Sequence, residues 1–134
     1  MNTKKIIAID FDGTIIQWQK DAHLLKDFVL MPNAKVVLDW MYQNFFCILW
    51  TCRDNESLQN ALSFLARNNI KFHAINQNAP FVDFETSAKI YFDFCADDKC
   101  CYCEIDWLQI KQFLQDKFLS IEETVVDRVI IEVK

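Results

Sequence analysis

The sequence predicts an α/β fold in which a mostly parallel sheet is covered by helices. Short apolar segments alternate along the chain with longer amphipathic segments, and this alternation indicates strands joined by helices. Parallel strands need a long crossover connection, which is usually a helix, so both faces of the sheet become covered. The chain has 134 residues, 52% of them hydrophobic, which suits one domain with a substantial core. We therefore expect residues 1–134 to form a single domain.

Two strands and two helices are predicted in the first half of the chain. In order, they are a buried strand at residues 4–10, a helix at 32–44, a buried strand at 45–51 and a helix at 54–69. Pro32 suits a first helical turn, where its missing N–H is not needed. Asp54 or Asn55 can cap the second helix, which carries a stripe of leucines. Residues 11–31 have no clean period and predict a loop or flap.

The second half of the chain predicts two further strands and a last helix. In order, they are a strand at residues 70–76, a loop at 77–88, a strand at 89–98 and a helix at 105–118. The tail at residues 121–134 is compatible with a strand or a helix, and its apolar pattern favours a strand.

Polar side chains follow the predicted strands at the points where the strands end. Because ligands bind beyond the carboxyl ends of parallel strands, these residues share one functional edge of the sheet. They are Asp10 and Asp12 after the first strand, Thr51 and Arg53 after the second, Asn76 after the third, and Asp97 and Asp98 after the fourth, which Lys89 precedes. The edge therefore collects four carboxylates, a hydroxyl and two cations.

This combination of groups suits a phosphoryl group bridged to a metal ion. Several carboxylates cannot all stay ionised together without a compensating cation, and hard oxygen ligands favour Mg²⁺, which is often shared with a phosphate. Thr51 and Lys89 can bind the other phosphate oxygens. Gly13, the only glycine in the chain, lets the backbone turn tightly and bring its N–H groups close to an anion.

The spacing of Asp10 and Asp12 suggests how such a site reacts. Side chains two residues apart share one face of an extended segment. One carboxylate can attack phosphorus, while the other protonates the leaving oxygen and then deprotonates the water that clears the aspartyl-phosphate. Acid–base assistance of this kind contributes on the order of 10²–10⁴-fold. The sequence thus predicts a Mg²⁺-dependent phosphomonoester hydrolase.

Four segments resemble the motifs of the haloacid dehalogenase superfamily, and they occur in the same order. DFDGT at residues 10–14 resembles the first motif, and ILWTCR at 48–53 resembles the second, a buried strand that ends in Thr or Ser. Lys89 matches the lysine of the third motif, and ADD at 96–98 matches the acidic fourth motif. The resemblance spans residues 6–98 and implies a three-layer, Rossmann-like fold.

The resemblance also implies a role for each matching residue. Asp10 would be the nucleophile, and Asp12 would be the general acid and base, with its backbone carbonyl on the metal. Thr51 and Lys89 would bind the phosphoryl group. The metal ligands implied are Asp10, Asp12 and Asp97, with Asp98 in support either directly or through water.

A cap domain, which many members of the superfamily carry, is not expected here. About twenty residues separate the first motif from the next helix, and about twenty lie between Arg67 and Lys89, so neither gap holds one. A capless site is open to bulky substrates, or a neighbouring subunit of a homo-oligomer supplies a lid, for which the flap at 15–31 is suited. Arg53 lies outside the superfamily pattern and is a candidate substrate contact.

The composition disfavours two classes of partner. The formal net charge of −5 argues against a bulk electrostatic hold on nucleic acid. No apolar run reaches the roughly 20 residues of a membrane span, and the first residues lack the apolar core of a secretory signal. We expect a cytoplasmic protein that acts on a phosphorylated small molecule or on the phosphorylated end of a larger substrate.

Three alternatives stay open at this point. A response-regulator receiver domain also uses an acidic cluster, a threonine, a lysine and Mg²⁺, but its acceptor aspartate ends the third strand, where this chain has Asn76. A phosphate-binding module without turnover is the second. The third is a zinc site built from Cys95, Cys100, Cys101 and Cys103, which lack the paired arms that zinc usually takes.

Overall fold

A four-stranded parallel sheet forms the centre of the protein. The structure is a computed structural model that describes residues 4–101 and 104–119. Its strands are β1 (Ile6–Ile9), β2 (Phe46–Leu49), β3 (Ala74–Ile75) and β4 (Phe94–Ala96), in the spatial order β3-β2-β1-β4. All three strand pairs are parallel, which confirms the predicted α/β class. The predicted strand in the tail, at residues 121–134, lies outside the described residues.

Helices follow β1, β2 and β4, whereas the connection between β3 and β4, which the structure describes in full, contains no helix. They are α1 (Ala34–Asn44), α2 (Asn55–Arg67), α3 (Asp98–Cys101) and α4 (Trp107–Leu114), the last continuing as a π-helix at Gln115–Leu119. A capping box between Asp54 and Ser57 opens α2, so Asp54 is the cap. Helix α1 begins two residues after Pro32, because Asn33 takes a left-handed conformation with φ 65°. The four-residue α3 has too short a pattern to be predicted.

The two faces of the sheet are buried by different parts of the chain. Side chains alternate along β1, so Ile7 and Ile9 face one side while Ile6 and Ala8 face the other. The first side packs against the buried residues of α1, α2 and α4. The second side packs against Ala79, Ile90 and neighbouring residues of the connection between β3 and β4. The described part of the chain thus has three layers: the helices, the sheet, and the connection between β3 and β4.

The fourth strand is shorter than predicted because Asp93 interrupts it. The predicted strand at 89–98 is reduced to Phe94–Ala96. The Asp93 carboxylate accepts the Ile6 N–H at 2.7 Å and the Tyr91 hydroxyl at 3.0 Å, so a side chain takes a ladder position before the strand begins. The third strand is likewise limited to Ala74–Ile75 at the sheet edge.

The predicted flap is packed onto the domain. Ile15 and Ile16 are fully buried, and Ile16 forms isolated bridges with Asp12 and Leu30. A three-residue 3-10 helix at Ala22–Leu24 is the only regular element between β1 and α1. In the described part of the chain, no helix has the length and apolar character needed to cross a membrane.

Candidate active site

Three carboxylates meet at the carboxyl edge of the sheet. Asp10 follows β1 and Asp97 follows β4, and the Asp10 N–H donates to the Ala96 carbonyl at 2.9 Å. Asp98 begins α3. Carboxylate oxygens of these residues all lie within 4.8 Å of one another. We call Asp10, Asp97 and Asp98 the acidic triad.

The triad has the electrostatics of a cation site. Burial, followed by the nearby carboxylate of Asp97, raises the pKa of Asp10 from 3.8 to about 7, and Asp98 and Asp12 add to the effect. The Phe11 N–H opposes it by donating to Asp10. The cluster therefore gains free energy from a positive charge in its middle, and three carboxylates suit a hard divalent ion such as Mg²⁺.

Gly13 makes room for the triad. Its φ is +73°, a conformation that L-residues rarely adopt, and a Cβ atom there would lie 2.5 Å from Oδ2 of Asp98. Only glycine therefore fits at this position of the loop that follows β1, directly against Asp98. The prediction that Gly13 binds a phosphate stays a prediction.

Thr14 positions the third carboxylate, and sequence reasoning missed it. The residue is fully buried. Its hydroxyl accepts the Asp98 N–H at 3.2 Å and donates to Oδ1 of Asp98 at 3.4 Å. Its carbonyl accepts the indole N–H of the buried Trp107 at 2.9 Å. The signal was present, because Thr14 is the last residue of DFDGT, but no role was assigned to it.

Asp12 turns away from the triad toward Arg53. Its Oδ2 accepts the Arg53 Nε–H at 2.8 Å, and its Oδ1 accepts an Nη2–H at 2.8 Å. The carboxylate is about one-third exposed while the arginine is buried. Among the described residues, the set of side chains that could hold a metal ion is the acidic triad, which does not include Asp12. A metal contact of Asp12 through its backbone carbonyl stays a prediction.

Thr51 follows β2, the strand that pairs with β1. The Trp50 N–H donates to the Ile9 carbonyl at 2.8 Å, which aligns the ends of β1 and β2. The side-chain amide of Asn76 accepts the Thr51 N–H at 2.9 Å and donates to the Thr51 carbonyl at 3.1 Å. The Thr51 hydroxyl accepts the Arg53 N–H at 3.1 Å. Asn76, at the end of the third strand, thus holds Thr51 in place.

The Lys89 side chain is exposed and lies over an aromatic ring. Lys89 belongs to the connection before β4, and its ammonium lies 5.9 Å from the centre of the Phe92 ring. It forms no ion pair with a carboxylate in the residues that the structure describes. Its predicted contact with the phosphoryl group stays a prediction.

The cysteines are not part of the triad. Burial, followed by the charge of Asp97, raises the pKa of Cys95 to about 12, which disfavours the thiolate that a metal needs. Cys100 is exposed. Cys103, which the zinc alternative also needs, lies outside the described residues.

A cleft of about 820 Å³ opens beside the triad. The described residues that line it are Gly13, Gln17, Trp18, Met31, Pro32, Asp98, Lys99 and Glu104. Trp18 is 65% exposed, so an indole face borders the space next to the carboxylates. The cleft can hold the organic part of a substrate whose reacting group contacts the triad.

Comparison with known proteins identifies a similar fold. No protein-family model matches the chain, and no curated protein matches it. A solved structure, described as that of a conserved protein coded by a locus from Bacteroides thetaiotaomicron, is 28% identical, with a TM-score of 0.71, over 87% of this chain and 93% of that one. This likeness supports the Rossmann-like α/β fold.

A more distant likeness is to a chain of the Pnkp1/Rnl/Hen1 RNA repair complex. That chain is 18% identical with a TM-score of 0.46, and the match covers 87% of this chain but 32% of that one. The protein therefore spans about one-third of the length of that relative.

Proposed function

We propose that the protein is a Mg²⁺-dependent phosphomonoester hydrolase of the haloacid dehalogenase type that acts through an aspartyl-phosphate on Asp10. The observation that carries the proposal is the arrangement of four carboxylates in two groups. Asp10, Asp97 and Asp98 converge within 4.8 Å, whereas Asp12, two residues from Asp10, is paired with an arginine. The first group suits a metal ion, and the second keeps Asp12 apart from the proposed metal ligands, as the proposed proton carrier must be.

The proposed reaction has two steps. In the first, a carboxylate oxygen of Asp10 bonds to phosphorus, the bond to the leaving oxygen breaks, and Asp12 gives that oxygen a proton. In the second, water bonds to phosphorus, its proton goes to Asp12, and the bond from phosphorus to Asp10 breaks. The products are the alcohol and inorganic phosphate.

The triad would hold the metal ion. Bound Mg²⁺ would neutralise the negative charge of the triad and of the phosphoryl oxygens. The ion would let Asp10 stay ionised at neutral pH, although burial and its acidic neighbours raise its pKa to about 7 in the metal-free protein. We propose that Thr51, Gly13 and Lys89 contact the phosphoryl oxygens, and that the leaving group occupies the cleft beside Trp18.

The substrate is proposed to be a phosphorylated small molecule or the phosphorylated end of a larger one. The test is release of inorganic phosphate from an aryl phosphate and a panel of metabolite phosphates, in Mg²⁺ and in EDTA. We expect turnover in Mg²⁺ that EDTA abolishes and that Asp10→Asn reduces by at least about 10⁴-fold. The matched control is Asp39→Asn, because Asp39 is an exposed aspartate paired with Lys35 on α1.

The panel also separates the proposal from its alternatives. Turnover lost in both Asp10→Asn and Asp39→Asn would indicate a general effect on the protein. Absence of turnover on every substrate, in a protein that binds Mg²⁺, would contradict the enzyme and favour a phospho-acceptor or a phosphate-binding module.

A further inference from the structure

Arg53 is a buried cation that has both aromatic and hydrogen-bonding partners. The residue is 8% exposed, and the rings of Phe11 and Phe28 each lie with their centre 5.0 Å from its Cζ atom. The two rings also contact each other edge to face, with centroids 5.4 Å apart, so the arginine packs against an aromatic pair and gains cation–π attraction. Phe11 belongs to the β1 loop and Phe28 to the flap, so two segments fix the guanidinium.

Hydrogen bonds use most of the donors of this guanidinium. Nε–H and one Nη2–H donate to Asp12 at 2.8 Å each, Nη1–H donates to the Ser57 carbonyl at 2.9 Å, and Nη2–H also donates to the Ala22 carbonyl at 3.2 Å. These bonds occupy four of the five N–H groups of an arginine. The side chain is therefore built into the protein, and little of it is left to bind a substrate.

The two parallel hydrogen bonds from Arg53, which we call its fork, determine where the Asp12 carboxylate lies. A bidentate pair fixes both the position and the plane of a carboxylate. A carboxylate has about four acceptor sites, and Arg53 takes two of them. The Asp12 carboxylate is one-third exposed, and its other acceptor sites are not used by Arg53.

We propose that Arg53 is a positioning residue for the general acid and base, rather than a substrate contact. It holds Asp12 apart from the acidic triad, so that this carboxylate carries protons instead of joining the metal ligands. This inference rests on the proposed function, because it assigns a partner to the group that protonates the leaving oxygen. It replaces the substrate contact expected of Arg53 from the sequence.

Leaving-group dependence tests the proposal. The acidic phenol of an aryl phosphate leaves as a phenolate without receiving a proton, whereas the alcohol of an alkyl phosphate needs one. The parameter kcat/KM reports the step in which the bond between phosphorus and the leaving oxygen breaks. We expect Arg53→Met to lower kcat/KM on glycerol phosphate by on the order of 10²-fold and on p-nitrophenyl phosphate only a few-fold. Arg53→Lys, which keeps the charge but not the fork, is expected to show the same selective loss in a smaller measure.

A double-mutant cycle identifies the partner. In an Asp12→Asn background, Arg53→Met is expected to add no further selective loss, because the proton carrier is already gone. Equal losses on both substrates, or an undiminished selective loss in Asp12→Asn, would overturn the positioning role. Where Arg53→Met does not fold, Arg53→Lys supports the same cycle.

A metal-binding measurement keeps the proposal testable without turnover. In Arg53→Met the Asp12 carboxylate loses its cation near the triad, so calorimetry is expected to show several-fold tighter Mg²⁺ binding that disappears in Arg53→Met with Asp12→Asn. Unchanged or weaker Mg²⁺ binding would overturn the proposal. Wild-type protein that binds Mg²⁺ but hydrolyses neither ester would contradict the proposed function, while this readout would still decide the position of Asp12.

Discussion

A Cβ atom on residue 13 would lie 2.5 Å from Oδ2 of Asp98, so the absent side chain of Gly13 is what admits the third carboxylate of the triad. The two residues are far apart in the sequence, and the loop after β1 and the start of α3 bring them together. The one glycine of the chain thus makes room for the proposed metal site as well as forming the turn.

Replacing Gly13 by alanine should therefore damage both stability and metal binding. The +73° φ angle costs a residue with a side chain on the order of 1–2 kcal/mol, and the new methyl group displaces the Asp98 carboxylate. We expect a lower Tm and Mg²⁺ binding weakened by about tenfold or more in calorimetry.

A control for Gly13→Ala is available in α1. Asn33 also has a left-handed φ of 65°, is exposed, and makes no side-chain cap bond. Asn33→Ala should lower Tm while leaving Mg²⁺ affinity unchanged. Equal effects of the two variants on Mg²⁺ binding would contradict a specific link between Gly13 and Asp98.

Thr14→Val tests whether the Thr14 hydroxyl holds the Asp98 carboxylate in place. Valine fills the same volume but removes the hydroxyl that bonds to both the N–H and the carboxylate of Asp98. We expect Mg²⁺ affinity to fall on the order of 10-fold or more with about 1 kcal/mol of lost stability. Thr86→Val is the control, since its hydroxyl accepts a bond from Asn78 in the connection before β4. Unaltered affinity in Thr14→Val would show that α3 alone holds Asp98.

Removing the charge of Asp10 should stabilise the metal-free protein in a pH-dependent manner. The pKa of Asp10 is raised from 3.8 to about 7, so the folded state holds a proton that the unfolded state releases. Its contribution to stability is present below pH 3.8 and is lost as pH rises through about 7. In EDTA, Asp10→Asn should therefore exceed wild type in Tm at pH about 8, and this gap should shrink toward pH about 4.

Thermal unfolding across that pH range measures the effect. Asp39→Asn changes an exposed aspartate paired with Lys35 and should show no such pH-dependent gap. A gap that is constant from low to high pH in Asp10→Asn would mean that burial and neighbouring charges do not raise the pKa of Asp10.

The parts of the site that sequence predicted are those that strand order determines. Asp10 and Asp97 meet because each directly follows a strand, and β1 and β4 are hydrogen-bonded neighbours. Thr51 and Asn76 follow from the same rule on β2 and β3. Here the local hydrophobic pattern was sufficient, since the carboxyl ends of parallel strands share one edge.

The parts that sequence did not predict depend on side-chain orientation. Asp12 and Arg53 were both expected at the edge, but their pairing was not, and the irregular flap places Phe28 against the same guanidinium. Thr14 lies in a recognised motif, yet its role depends on Asp98, 84 residues later. The long strand expected at 89–98 failed because Asp93 bonds to β1 with its side chain, which a pattern of alternating residues does not reveal.

Trapping the phosphoryl group on Asp10 tests the central claim most directly. Asp12→Asn protein mixed with p-nitrophenyl phosphate and Mg²⁺ can lose the phenol without a proton, but it lacks the base that activates water. The account predicts a burst of nitrophenol equal to the enzyme concentration, and a peptide containing Asp10 that is heavier by one phosphoryl group. It also predicts that neither is seen in the double variant that carries both Asp12→Asn and Asp10→Asn. Steady phosphate release from Asp12→Asn without a burst, or a burst that persists in the double variant, would contradict covalent catalysis by Asp10.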